Sequence, residues 1–523
     1  MKKVQIRATG VVLVLILLFS MLAACSKEEG GNKQTNAPKG DTAEATNKGE
    51  GQAPEASAEA PKAEGTVKIV LPGDQPKDMA GVQKAMEAKL QADGLNIKLE
   101  FTYFPWDQYS NKLNLIAASG EDYDMAWTHV SWLSQITAKN VIIPLNDLLD
   151  EQGHQLKESV PAASFMSASI DNKIYGIPTL VPTAENNNFF VIRGDLREKY
   201  NLAPIKSLAD FEAYLDTIKK NEPDMVPIAN DNNRGLFREF GDVYLPIGDN
   251  GAGPAYIDPA DPNLEVKSFY ESDIFRKIVE TKRKWYLNGW MPKDAQEIKD
   301  SESALNNGKI GATWSNVLKT SERIDTFKKT LPDGKLEDVF LNPEKPKYVF
   351  DAAANLLSIF STSKNSEGAM AFINWFRSNQ ENYDLFSYGV KDVNYKLDGA
   401  AVSVDGIAEN STYNQVYWAW DDIRLKHFSK NVDPSYIENL KVWDNDSIVA
   451  PTLGFRFNAD PVKSEIAQID AVGQEYVGAA YSGFIEYDKF YPEFQRKLKS
   501  AGIDKVIAEV QKQLNDFIAN KAK

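Results

Sequence analysis

From Val67 onward, apolar and polar positions follow two rhythms. "VKIVLPG" reads as a buried strand closed by a glycine turn. "MAGVQKAMEAKLQADG" places Val82, Met86 and Leu90 on one helical face. "NIKLEFTYF" alternates strictly, with Ile97, Leu99, Phe101 and Tyr103 on one side, which predicts a strand. "DQYSNKLNLIAASG" returns to helix and closes near Gly120, and "YDMAWT" is a third short strand. This β-α-β-α-β order predicts a mostly parallel sheet flanked by helices, with ligands at the C-terminal strand edge.

Further along, "DNKIYGIPT" predicts a turn and a short strand. In "IKSLADFEAYLDTIKK", Ser207 is an N-cap with Asp210 three residues on, and Leu208, Phe211, Leu215 and Ile218 share a face. The stretch from Asp224 to Pro262, rich in Asn, Asp, Gly and Pro, reads as long loops. "NGKIGATWSN" predicts a strand that exits into a loop. "LLSIFSTSKNSEGAMAFINWFRSN" predicts a strand and a helix capped by Asn365 or Ser366. The last helix carries Val506, Val510, Leu514 and Phe517 on one stripe.

The N-terminal segment differs from all of this. Lys2, Lys3 and Arg7 precede an apolar run, Val11 to Leu18, too short for the roughly 20 apolar residues of a membrane span. Leu22-Ala23-Ala24-Cys25 then resembles a bacterial lipobox. That resemblance implies a signal peptide over 1–24 and lipidation of Cys25, with two or three acyl chains making a stable anchor. A cleaved signal with an incidental cysteine, or an uncleaved anchor, are the alternatives. Residues 26–64 hold no aromatic and no large aliphatic side chain, so 25–64 is expected to be a disordered tether.

About 460 residues remain, more than one core usually serves, so two lobes are expected. Cys25 is the only cysteine, which excludes a disulfide within the chain. Net charge is -15, and removal of Lys2, Lys3 and Arg7 makes it -18. Such a charge disfavours nucleic acid and anionic membrane surfaces as partners.

In order, "DNKIYGIPT", "NNFFVIRGDLREKYNLAPIKSLADFEAYLDTI" and "NGKIGATWSN" resemble extracellular solute-binding proteins of ABC importers, the type II, two-lobed family. "GFRFNADPVKSEIAQIDAVGQEYVGAAYSGF" and "KLKSAGIDKV" resemble a Gram-positive lipoprotein branch with its own C-terminal extension. One departure is Val390-Lys391-Asp392, where that branch has Gly-Ile-Glu-Gly. The resemblance implies an α/β, two-lobed, type II periplasmic-binding-protein-like fold. Each lobe would be a mostly parallel sheet flanked by helices, with the ligand cleft between. Lobe 1 would comprise 65–182 and 347–385, and lobe 2 would comprise 183–346 and 386–523 with the C-terminal helical extension. It also implies a lipid-anchored monomer on the outer face of the cytoplasmic membrane. Such a protein needs no cofactor and passes a polar solute intact to the transmembrane subunits of a permease.

A sugar cleft calls for flat rings against the C–H face of a pyranose, with amides and carboxylates for the hydroxyls. The chain has ten tryptophans, which lean toward oligosaccharide, although peptides use such clefts too. Candidates at strand ends are Trp106, Trp127 and Trp314, and "YWAWDD" adds Trp418 and Trp420. Core burial is the alternative for each, and Trp375 is assigned to the core beside Phe372 and Phe376. Trp127 is expected to face the ligand, so that Trp127→Ala weakens binding without lowering the melting temperature much. Polar candidates are Asp74, Asn232, Asn233, Arg234, Ser315, Asn316 and Tyr388. The three histidines, His129, His154 and His427, fit no metal spacing and are read as structural. Neither a P-loop nor a G-x-S-x-G elbow is found, so no enzymatic chemistry is expected. A surface glycoside hydrolase and a ligand-presenting sensor lipoprotein are the alternatives.

Overall fold

The structure, a computed structural model, describes residues 63–230, 233–247, 253–294 and 297–521. The signal segment 1–24, Cys25, the tether through 62 and Asn232 lie outside the described residues. No helix among the described residues is long and apolar enough to cross a membrane.

The opening run folds as β1 (Glu64–Pro72), α1 (Met79–Ala92), β2 (Asn96–Phe104), α2 (Trp106–Ser119) and β3 (Met125–His129). β1 pairs in parallel with both β2 and β3. Val67, Ile69, Val70 and Leu71 are all buried, as a central parallel strand covered on both faces requires. Val82, Met86 and Leu90 of α1 are buried against the sheet. Gly120, at φ 73°, takes the left-handed position that ends α2. The sheet is completed from far along the chain, in the order β2, β1, β3, Asn355–Ile359, Ile177–Pro178. The strand Asn355–Ile359 runs antiparallel to both its neighbours.

The second lobe is centred on the buried strand Phe189–Arg193, flanked by Ala312–Ser315 and Leu336–Val339. Both pairings are antiparallel, so this small sheet departs from the mostly parallel one expected. The cause is where the strands begin and end. Phe189 opposes Ser315, so one strand enters the lobe at the edge where the other leaves it. Helix Leu208–Asn221 starts at a capping box: the Asp210 amide donates to Ser207 Oγ (3.2 Å) and the Ser207 amide donates to Asp210 Oδ2 (3.0 Å). The expected long loop from Asp224 to Pro262 instead contains strands Tyr244–Ile247 and Ala255–Ile257, the latter paired with Val266–Ser268. Glycine, asparagine and proline punctuate these short apolar runs and hide them from a pattern search. Helices Lys463–Tyr481, Tyr487–Ser500 and Ile503–Lys521 close the lobe, burying Val506, Val510 and Leu514.

Two large cores correspond to the lobes. One expected boundary is corrected. Residues 386–523 are expected in lobe 2, yet Phe386, Tyr413, Ala419 and Trp420 pack into the first core. The rings of Phe386 and Trp420 are 4.4 Å apart, so apolar contact carries the chain back over lobe 1 before it leaves again. Among the described residues the chain therefore passes between lobes three times, near 179–188, 342–354 and 421–427. Hydrogen bonds tie these crossings together. The Leu180 amide donates to Asp421 O (2.8 Å), and the Glu185 amide donates to Tyr348 O (3.1 Å). Asp444 accepts from the amides of Thr183 (2.9 Å) and Ala184 (3.0 Å).

Candidate ligand-binding cleft

A cavity of about 920 Å³ opens beside the first two of these crossings. His129, Ser131 and Gln135 line it from lobe 1, Arg234, Tyr244 and Trp314 from lobe 2, and Glu185, Asn186 and Phe350 from the crossings. Its size falls in the usual range for ligand pockets, and it is walled by both lobes at the C-terminal end of β3.

Beside it stands a cluster of tryptophans. Trp106, the first residue of α2, lies directly after β2 because Pro105 turns the chain there. Its ring stacks on Trp418 (5.4 Å, 29°) and meets Trp127 edge-on (5.7 Å). Trp127 also makes edge contacts with Trp418 (5.3 Å) and Trp132 (5.0 Å). His129 joins the cluster to the cavity, with its ring 6.1 Å from Trp132. Trp106 is 53% exposed, while Trp132 and Trp418 are half-buried. A large ring left open on an otherwise packed cluster is a surface for another flat apolar face.

The candidates divide accordingly. Trp106 and Trp418 meet at this surface. Asp74 is exposed in the turn after β1, next to Gly73, where a β-carbon would stand 3.6 Å from Trp106 Nε1. Arg234 and Trp314 line the cavity, and the Trp314 indole donates to Asn187 O (2.8 Å). Four candidates are corrected. Trp127 is only 5% exposed, covered by its neighbours and pinned by Nε1 donating to Asn355 Oδ1 (3.1 Å), so it backs the ring surface. Trp420 is core, 1% exposed, with Nε1 donating to Ser387 Oγ (3.0 Å). Asn316 turns its Oδ1 to the amides of Leu318 (3.0 Å) and Lys319 (2.8 Å) and so starts the helix Lys319–Thr330. Tyr388 packs against Tyr395 and His427 and accepts from the His427 amide at its hydroxyl (3.0 Å).

Sequence reasoning missed Trp132, whose signal was its place one turn beyond the end of β3. It also missed the hinge residues Glu185 to Asn188, whose run of asparagines signalled only a loop. Glu185 sits at φ 52° and is 3% exposed. Its Oε1 accepts from the Tyr348 amide (3.2 Å) and its Oε2 from Asn188 Nδ2. Burial and the nearby Asp242 carboxylate push this carboxyl up to about 7, against the opposing pull of Arg238 and these hydrogen bonds. The native value lies above the ordinary 4.5, so the native state holds the proton more tightly. The associated stability is full below about 4.5 and is lost as pH rises through about 7. E185Q can keep both contacts if the Asn188 amide turns over. It should melt with the parent near pH 4.5 and a few degrees above it near pH 8, in thermal melts across that range.

Residues 85–393 match the family model described as bacterial extracellular solute-binding protein, and residues 451–519 match one described as a domain of unknown function. A carbohydrate ABC transporter substrate-binding protein of Streptococcus pneumoniae serotype 4 is 29% identical over 475 residues, 87% of this chain and 91% of that protein. Among solved structures, the N-glycan transport solute binding protein NgtS of Streptococcus pneumoniae matches with a TM-score of 0.73 at 26% identity, covering 87% of this chain and 99% of that one. Its complexes with Man1GlcNAc and Man5GlcNAc match over the same shares, with TM-scores of 0.68 and 0.66 at 26% and 27% identity. With two lobes, a cleft at their junction and a matching model over most of its length, the chain belongs to the family of bacterial extracellular solute-binding proteins.

Proposed function

We propose that this protein captures an oligosaccharide in the inter-lobe cleft and delivers it intact to an ABC permease. It does so as a monomer held on the outer face of the cytoplasmic membrane by lipid on Cys25. The observation that carries the reading is the open ring of Trp106, stacked on Trp418 beside the cavity. Such rings meet the C–H face of a pyranose, and the neighbouring asparagines, Arg234 and His129 supply donors and acceptors for its hydroxyls. The carbohydrate name of the pneumococcal relative and the glycan complexes of NgtS support the same ligand class. Binding and release need no bond to be made or broken. Specificity is shape plus hydrogen bonding, and the lobes close around the hinge described above.

The test is a titration of the full chain in mild detergent with Man1GlcNAc, Man5GlcNAc and an unrelated peptide, read by tryptophan emission. Each glycan is then recovered and sized. A saturable shift with a glycan that is recovered whole is expected. Cleavage of the glycan, or a shift with the peptide alone, would overturn the reading.

A further inference from the structure

The cavity lining itself holds a group of rings distinct from the tryptophan cluster that stands beside it. Tyr244 and Phe350 stack at 5.5 Å and 12°, and both line the cavity. The wall beside them is the turn 455–463, which opens the segment matching the domain of unknown function. That turn is rigidly placed. Arg456 Nη2 donates to Asp351 Oδ1 (2.7 Å) in the second crossing and to Ser167 O (2.5 Å) in lobe 1. The Asn458 amide donates to Gln513 Oε1 (2.9 Å) on the last helix. Asp460 and Lys463 stand exposed on the same wall. Flat rings flanked by fixed polar groups are what a pyranose needs, and here they recur in a lining that does not include Trp106.

We propose that Tyr244, Phe350 and the turn 455–463 form a second saccharide subsite. The C-terminal module thus takes part in ligand recognition, and the protein selects glycans long enough to reach both ring groups. This rests on the oligosaccharide reading above. A glycan engaging both ends gains the second contact without a second association step, so length is rewarded out of proportion to each contact. A short glycan occupies one end and gains nothing from the other.

The experiment compares Man1GlcNAc and Man5GlcNAc by isothermal titration against the parent, Tyr244→Ala and the double variant Asp460→Ala/Lys463→Ala. The parent should favour Man5GlcNAc. Both variants should weaken Man5GlcNAc at least about tenfold and leave Man1GlcNAc within about twofold. Equal losses for both glycans, or no loss for either, overturn the proposal. The double variant changes only exposed side chains, so it decides the matter if Tyr244→Ala melts early. A parent that binds both glycans equally defeats the subsite alone, whereas a parent that binds neither defeats the functional reading.

Discussion

Asp422→Ala should destabilise the protein by about 3–5 kcal/mol, the cost of breaking one side of a buried ion pair. The Asp422 side chain is fully buried and that of Arg377 nearly so. The carboxylate accepts from Arg377 Nη2 (3.0 Å) and from Arg424 Nε (2.8 Å) and Nη2 (2.5 Å). Arg377 also donates to Pro178 O (2.6 Å), so the cluster joins the first and third crossings. Without Asp422, the Arg377 guanidinium is left charged in an apolar site, and its Nε already lacks a partner. Denaturant unfolding followed by tryptophan emission measures the loss. Acid gives a second check. Burial lifts the Asp422 carboxyl, but the Arg424 and Arg377 guanidiniums outweigh that and hold it below the ordinary 3.8. Its contribution is therefore present above the unfolded value and is lost as pH falls through the native one. The stability gap between parent and variant should narrow on acidification below about pH 4.

The second large effect separates two adjacent tryptophans. Trp106→Ala should weaken glycan binding by about 2 kcal/mol or more, roughly 30-fold, as loss of a central aromatic contact does. Its melting temperature should barely move, because the ring is already half in water. Trp127→Ala should do the reverse. Emptying a buried site costs about 3–5 kcal/mol, and here the Asn355 contact goes as well. Calorimetric melting and isothermal titration on both variants settle which ring touches sugar. A Trp106→Ala protein that binds normally would remove the cluster from the site.

The first sheet was legible because its strands announce themselves. The buried run that ends β1 and the alternation that opens β2 leave few other structures open to them. The Ser207 cap and the Gly120 stop were legible for the same reason, being local chemistry. The site was legible only as a set of rings. Trp127 is covered by Trp106, Trp132 and Trp418 together, whereas Trp106 stays 53% exposed, and the contacts of both rings with Trp418 join residues far apart in the chain. Trp420 follows the same logic, since only the return of the chain to lobe 1 buries it. The weakened acidity of Glu185 arises from burial and from Asp242, both supplied by folding and only partly offset by Arg238, and no local pattern carries it.

The interior strand Asn355–Ile359 also bears on how the molecule is made. Thr128 Oγ1 and Ser358 Oγ meet at 2.7 Å although they stand 230 positions apart in the sequence. An extracellular protein emerges from its export channel N-terminus first, so β3 waits with an open edge until that distant partner arrives. Through that interval the leading half cannot complete its sheet, and closing so long a loop is slow. Until the last third of the chain appears, the unpaired edge of β3 is open to pairing with other chains and to proteolysis.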